Sequence, residues 1–199
     1  YHVNCTHLME IPNHTCGIAG ILLEHNDNRI LIHGGANDIH DRTRIQSILN
    51  QPEVKDSILI VQLEIPMNIV ETACITAKKQ NMMTLLNAAP AKVLSDTLYK
   101  HIDLLIVNEL ETYTLTNINI EDADSMKRAA KVLLNKGVQA VLITNGDKGS
   151  TYFNNVTTIH VEAHKVNVVD TTAAGDTYIG VLASQIATGV AMNEAMLQA

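Results

Sequence analysis

The chain is short of cysteine, of positive charge and of long apolar runs, and each shortage removes a class of function. Its 3 cysteines, Cys5, Cys16 and Cys74, are odd in number, scattered and without a C-x-x-C pair. Neither a disulfide framework nor a zinc site is indicated, and a reducing cytoplasm suits such a chain. Lys and Arg total 14 against 21 Asp and Glu, a formal net charge of -7. Gripping phosphate backbones calls for clustered Lys and Arg, and none cluster here, so nucleic acid is excluded as a partner. No apolar run reaches about 18 residues and no signal-peptide pattern opens the chain, so no membrane segment is expected. A Walker A motif is also missing, which argues against a P-loop enzyme.

What remains is ordinary for a soluble globular protein. A length of 199 residues with 46% hydrophobic and 18% charged predicts one domain, residues 1–199, with a core of good size. Residues 16–24 alternate loosely, His25-Asn26-Asp27-Asn28 turns the chain, and 29–33 returns, a β-hairpin. Gly34-Gly35 then suits either a turn or the close approach of a ligand. A short helix is expected over 41–50.

From residue 57 the signals alternate between strand and helix. Strands are expected over 57–63, 82–86, 104–107 and 140–144. Helices are expected over 66–80, 94–101, 108–115 and 121–135, with Ile69, Val70, Ala73 and Ala77 lining the inner face of the first. Buried strands separated by helices predict a parallel sheet covered on both faces. Ligands bind beyond the carboxyl ends of such strands, which singles out Glu64, Asn87, Asn108 and Gly146. Asn-Gly at 145–146 followed by Gly149 predicts a tight return into a strand over 150–153. His160 and His164 fall in a polar strand region and read as surface residues.

The most informative stretch is Val169-Asp170-Thr171-Thr172-Ala173-Ala174-Gly175-Asp176-Thr177, small residues between two carboxylates, followed by an apolar helical run. Small residues let backbone amides come close to a ligand, and a helix N-terminus adds partial positive charge to those donors. Asp176 is then either a helix cap or a carboxylate base beside an electrostatic clamp.

This stretch resembles the D-T-x-A/G-A-G-D signature of the ribokinase (PfkB) family of sugar kinases. Upstream segments agree with the family in order and spacing: His33-Gly34-Gly35-Ala36-Asn37, Gln62-Leu63-Glu64, Asn87-Ala88-Ala89-Pro90-Ala91, Val107-Asn108-Glu109-Leu110-Glu111 and Val141 through Gly149. Ala88 stands where the family has its first Pro, expected to loosen that loop. Val107 replaces a Pro, and Asn145 a Leu.

The resemblance implies a three-layer α/β/α fold with a mostly parallel sheet, and a β lid of which 16–33 is the remnant. It implies Asp176 as the base for a sugar hydroxyl, with the amides of Ala173, Ala174 and Gly175 as the anion hole. Asn108, Thr144, Asn145, Gly146, Asp147, Lys148, Gly149 and Gly175 would bind the nucleotide, and Glu64 with Asp176 the sugar. Glu111 would hold Mg2+ through water, and Asp170 and Thr172 would help bind K+. The Asn108 and Glu111 pair also fits a plain helix cap, and the two roles are compatible. The implied reaction passes the γ-phosphate of ATP to a pentose, ribose before deoxyribose or fructose. Oligomeric state stays open: dimers of the family often join through their lids, a homodimer of the intact parent is one outcome, and only 16–33 could contribute to it here. The family's N-x-D and G-G-K-G-x-N elements precede none of these motifs, so the chain is expected to be the interior of a longer kinase, with little catalysis alone. A non-catalytic nucleotide-binding module is the competing reading.

Overall fold

The structure is a computed structural model, and it describes residues 3–24, 27–168 and 170–199. Among the described residues, eight strands form two separate sheets. The first is the antiparallel hairpin β1 (Ile18–Glu24) and β2 (Asp27–His33), in register from Ile18 opposite His33 to Glu24 opposite Asp27. The expected turn residues His25 and Asn26 lie outside the described residues. At its base Gly35 adopts φ +54, and a Cβ there would press on the carbonyl oxygens of Thr15 and Cys16. Gly35 therefore serves a backbone crossing.

The second sheet runs in the order β3 (Ile58–Val61), β4 (Met83–Asn87), β5 (Leu104–Val107), β6 (Ala140–Thr144), β7 (Ser150–Asn154), β8 (Thr158–Val161). Pairings from β3 to β6 are parallel, and those of β7 and β8 are antiparallel. Each parallel strand lies beside its predecessor in sequence, so right-handed crossovers carry all their helices over the same face. Those helices are α2 (Met67–Lys79), α3 (Asp96–Tyr99), α4 (Glu109–Thr116) and α5 (Ala123–Lys136). The opposite face is covered from later in the chain by α6 (Ala174–Ala187) and α7 (Met192–Gln198), while α1 (Arg42–Leu49) packs on α2.

Strand alternation divides the core accordingly. Leu86, Leu105, Val107, Val141 and Ile143 face the first helical layer, meeting Val70, Cys74, Leu98 and Leu133. Leu85, Leu104, Ile106, Ala140 and Leu142 face the second, against Ile179, Leu182 and Ala183. Three-layer α/β/α architecture follows. The expected helix over 94–101 contracts to Asp96–Tyr99. Ser95 is extended, at ψ 147, and its hydroxyl donates to Glu71, while Lys92 donates to the Leu63 carbonyl, so the residues before Asp96 serve as a tether. Among the described residues no helix is long and apolar enough to cross a membrane.

Candidate active site

The four parallel strands end side by side, and the residues after them collect in one cleft of about 210 Å³. β3 contributes Gln62 and Glu64, β4 Asn87, β5 Asn108, and β6 Thr144, while α4 adds Glu111. The roof is the start of α6, with Ala173, Gly175, Asp176 and Tyr178. Helix α6 sits there because Ile179, Leu182 and Ala183, at helical spacing, bury against the sheet, which leaves its N-terminus over the strand ends.

That N-terminus has an unusual entry. Ala173, the residue before the helix, lies in the left-handed region at φ 59, a conformation that costs a residue with a Cβ about 1 kcal/mol. The turn is drawn tight by the Ala174 amide donating to the Thr171 carbonyl at 3.2 Å. Ala174 would have to release that long bond to serve a ligand. Asp170 folds onto the same turn, its Oδ1 accepting from both the amide and the hydroxyl of Thr172 at 2.8 Å. The Thr172 amide, followed by its hydroxyl, holds the Asp170 carboxyl below the usual carboxylate range. Val169 lies outside the described residues.

Glu111 is the buried carboxylate of the cleft, 5% exposed. Its two oxygens accept from the backbone amide of Asn108 at 2.8 Å and the side-chain amide at 3.0 Å, while Asn108 Oδ1 accepts from the Glu111 amide. This is a reciprocal cap, with Asn as its first residue. Burial pushes the Glu111 carboxyl up, against the lowering effect of the Asn108 backbone bond. An ionised acid held out of water without a counter-charge is costly, so a cation beside it is chemically apt. Among the described residues no group of three or more His, Cys, Asp or Glu could hold a metal ion. A single carboxylate still fits magnesium, which keeps most of its waters and takes further oxygens from phosphates.

A second hollow of about 420 Å³ adjoins the cleft, sharing Thr144, Gly175 and Tyr178 and continuing along Gly146, Gly149 and Ala174. A third, of about 710 Å³, takes in Asp147 and Lys148 with His160 and His164. The expected nucleotide residues other than Asn145 thus border adjoining hollows, whereas Asn145, Asp170 and Thr172 line none of them. Nothing in the structure explains Asn145 in place of Leu. His160 bonds Thr151 across β8 and β7 at 2.9 Å, and His164 bonds the Leu197 carbonyl at 3.0 Å. The Ala88 amide donates to the Ile106 carbonyl at 3.0 Å, a bond that proline at this position cannot make.

Two site contacts escape sequence reasoning. Gln62 Nε2 donates to Asp176 Oδ1 at 2.6 Å, across 114 positions. The Tyr178 hydroxyl meets Ser150 Oγ at 2.8 Å, fastening the first turn of α6 to β7, and burial pushes the Tyr178 phenol up. Strand-end placement could have found Gln62, which stands one residue past β3; no local signal marks the partner of Tyr178.

Comparison with known proteins fits this geometry. The model of the pfkB family of carbohydrate kinases matches residues 1–199. A ribokinase of Staphylococcus aureus is 34% identical over 93% of this chain and 61% of its own length, and one of Schizosaccharomyces pombe is 37% identical over 98% and 62%. The chain thus spans about three fifths of these curated relatives. A solved Arabidopsis thaliana ribokinase, complexed with ribose and ATP, superposes with a TM-score of 0.79 at 28% identity, over 92% of this chain and 60% of that one.

Proposed function

The chain belongs to the pfkB family of carbohydrate kinases, and from that premise we propose that its whole protein moves the γ-phosphate of ATP to the terminal hydroxyl of D-ribose, giving ribose 5-phosphate. The observation that carries the reading is the convergence in one cleft of Asp176, the first turn of α6, Glu64 and Glu111. Phosphoryl transfer asks mainly for positioning and electrostatic stabilisation, with one base to receive the acceptor's proton. Asp176 takes that proton. The amides opening α6, Gly175 foremost, face the charge on the transferred group, and a Cβ added at Gly175 would meet nothing within 4 Å, so the backbone there is open to a ligand.

Glu64 is exposed on the cleft wall and accepts sugar hydroxyls. The hollow along Thr144, Gly146 and Gly149 receives the nucleotide. Glu111 is the side chain that would hold Mg2+ through water, and the ion would supply charge neutralisation on the phosphates. Asp170 and Thr172 offer the oxygen donors that K+ takes. The hairpin β1–β2 acts as the lid: Gly20, Leu22 and Leu31 lie on one of its faces and Ala19, Ile21 and Ile32 on the other, one apolar face for the cleft and one for the hairpin of a second copy. Three unpaired cysteines support a cytoplasmic setting.

The test is Asp176→Asn in the complete enzyme, with ribose, ATP, Mg2+ and K+ and ADP release as the readout. The expected loss in kcat is about 10² to 10⁴ with the unfolding midpoint unchanged. Wild-type turnover by the variant would refute the assignment.

A further inference from the structure

The Gln62–Asp176 hydrogen bond links the segment after the edge strand of the sheet to the first turn of a helix that arrives 114 positions later. We propose that Gln62 is the positioning residue that holds the Asp176 carboxylate in its reactive orientation. The proposal rests on Asp176 being the base. A carboxylate in the first turn of a helix is drawn toward the helix's own amides, where it serves as a cap and offers nothing to a substrate. Terminal rotation of an Asp carboxyl is also soft, so the backbone alone does not fix its plane. The Gln62 donor at 2.6 Å supplies the missing restraint from across the cleft. It occupies Oδ1 and leaves Oδ2 for the acceptor's hydroxyl.

Glutamine suits this task chemically. Its amide donates without carrying a proton that could neutralise the base, as Lys or His would in the same place. Its position is itself well fixed, because Leu63 is fully buried and its amide donates to the Ala89 carbonyl at 2.8 Å. Glu64, two residues past Gln62, lines the same cleft, so one short segment after β3 would address both the sugar and the base.

The experiment is a double-mutant cycle in the complete enzyme, with kcat, the KM for ATP and the unfolding midpoint measured for each variant. Gln62→Met keeps the length and removes the donor; we expect kcat to fall about tenfold while the KM for ATP stays within about twofold. Gln62→Glu places a second carboxylate against the first and is expected to lose more. Gln62→Asn keeps an amide on a shorter stem and is expected to recover part of the Met variant's loss. In an Asp176→Asn background, Gln62→Met should cost nothing further, which a merely structural role would not produce. Wild-type kcat for Gln62→Met, or an equal loss in both backgrounds, overturns the role of Gln62 while leaving Asp176 as the base. Wild-type kcat for Asp176→Asn alone overturns the base itself.

Discussion

Glu111 shows how one side chain serves both fold and site. Its carboxyl caps α4 through Asn108, yet burial raises its pKa above the value an unfolded chain would give. The sign of the consequence is fixed: the stability associated with this group is fully present below the ordinary glutamate value of about 4.3 and is lost as pH climbs through the higher folded value. We expect the unfolding free energy, from denaturant titrations, to decline across that window in the wild type, with this component absent in Glu111→Gln. An unchanged slope in the variant would assign the decline to other groups. The sequence disclosed the pair, since Asn and Glu three apart fit a cap, but not the burial, which arises only when α4 is seated over β5 and β6. Cys74 is similar: burial foremost, with Asp103 and Glu71 beside it, pushes its thiol up to about 12, so it is a core residue and no nucleophile.

At the scale of elements, the loop between β6 and β7 and the start of α6 respond differently to the same change. Gly149 adopts φ +85, and a Cβ there would collide with the Val161 carbonyl and meet the Ala163 amide, both backbone groups that cannot swing aside. Gly149→Ala should therefore lower the unfolding free energy by about 2 kcal/mol or more, combining left-handed strain with that contact. Gly175→Ala has open space for its methyl and should leave the unfolding midpoint in place while cutting turnover, since the added group enters the proposed phosphate site. Equal melting shifts in the two variants would contradict this account. Element existence was readable along most of the chain because helical and alternating periodicities are local. The expected helix over 94–101 is longer than the observed one because the approach to α3 is set by Glu71 of the adjacent helix α2 and by Leu63 after β3.

At the scale of the whole molecule the central sheet is shared property of two helical layers. Leu85 and Leu86 are neighbours in β4, both fully buried, and point to opposite layers. Truncating either to Ala should cost about 2–5 kcal/mol, and calorimetry should find one transition shifted in both variants, because neither layer holds its shape without the sheet. Two separated transitions in either variant would mean the layers melt independently. Alternation of strand and helix, the parallel core, the return from β6 into β7 and the residues gathered at the strand ends were all legible in the chain, since periodicity and small-residue turns are properties of adjacent residues. The fold as a whole was needed to show that β8 extends the sheet beyond the β6–β7 return, that α6 and α7 cover the face the crossovers leave bare, and that Gln62 reaches Asp176. Those outcomes depend on which surfaces meet after the chain has folded back on itself, in the case of Gln62 and Asp176 across 114 positions, and no local pattern in the chain encodes the partner of such a contact.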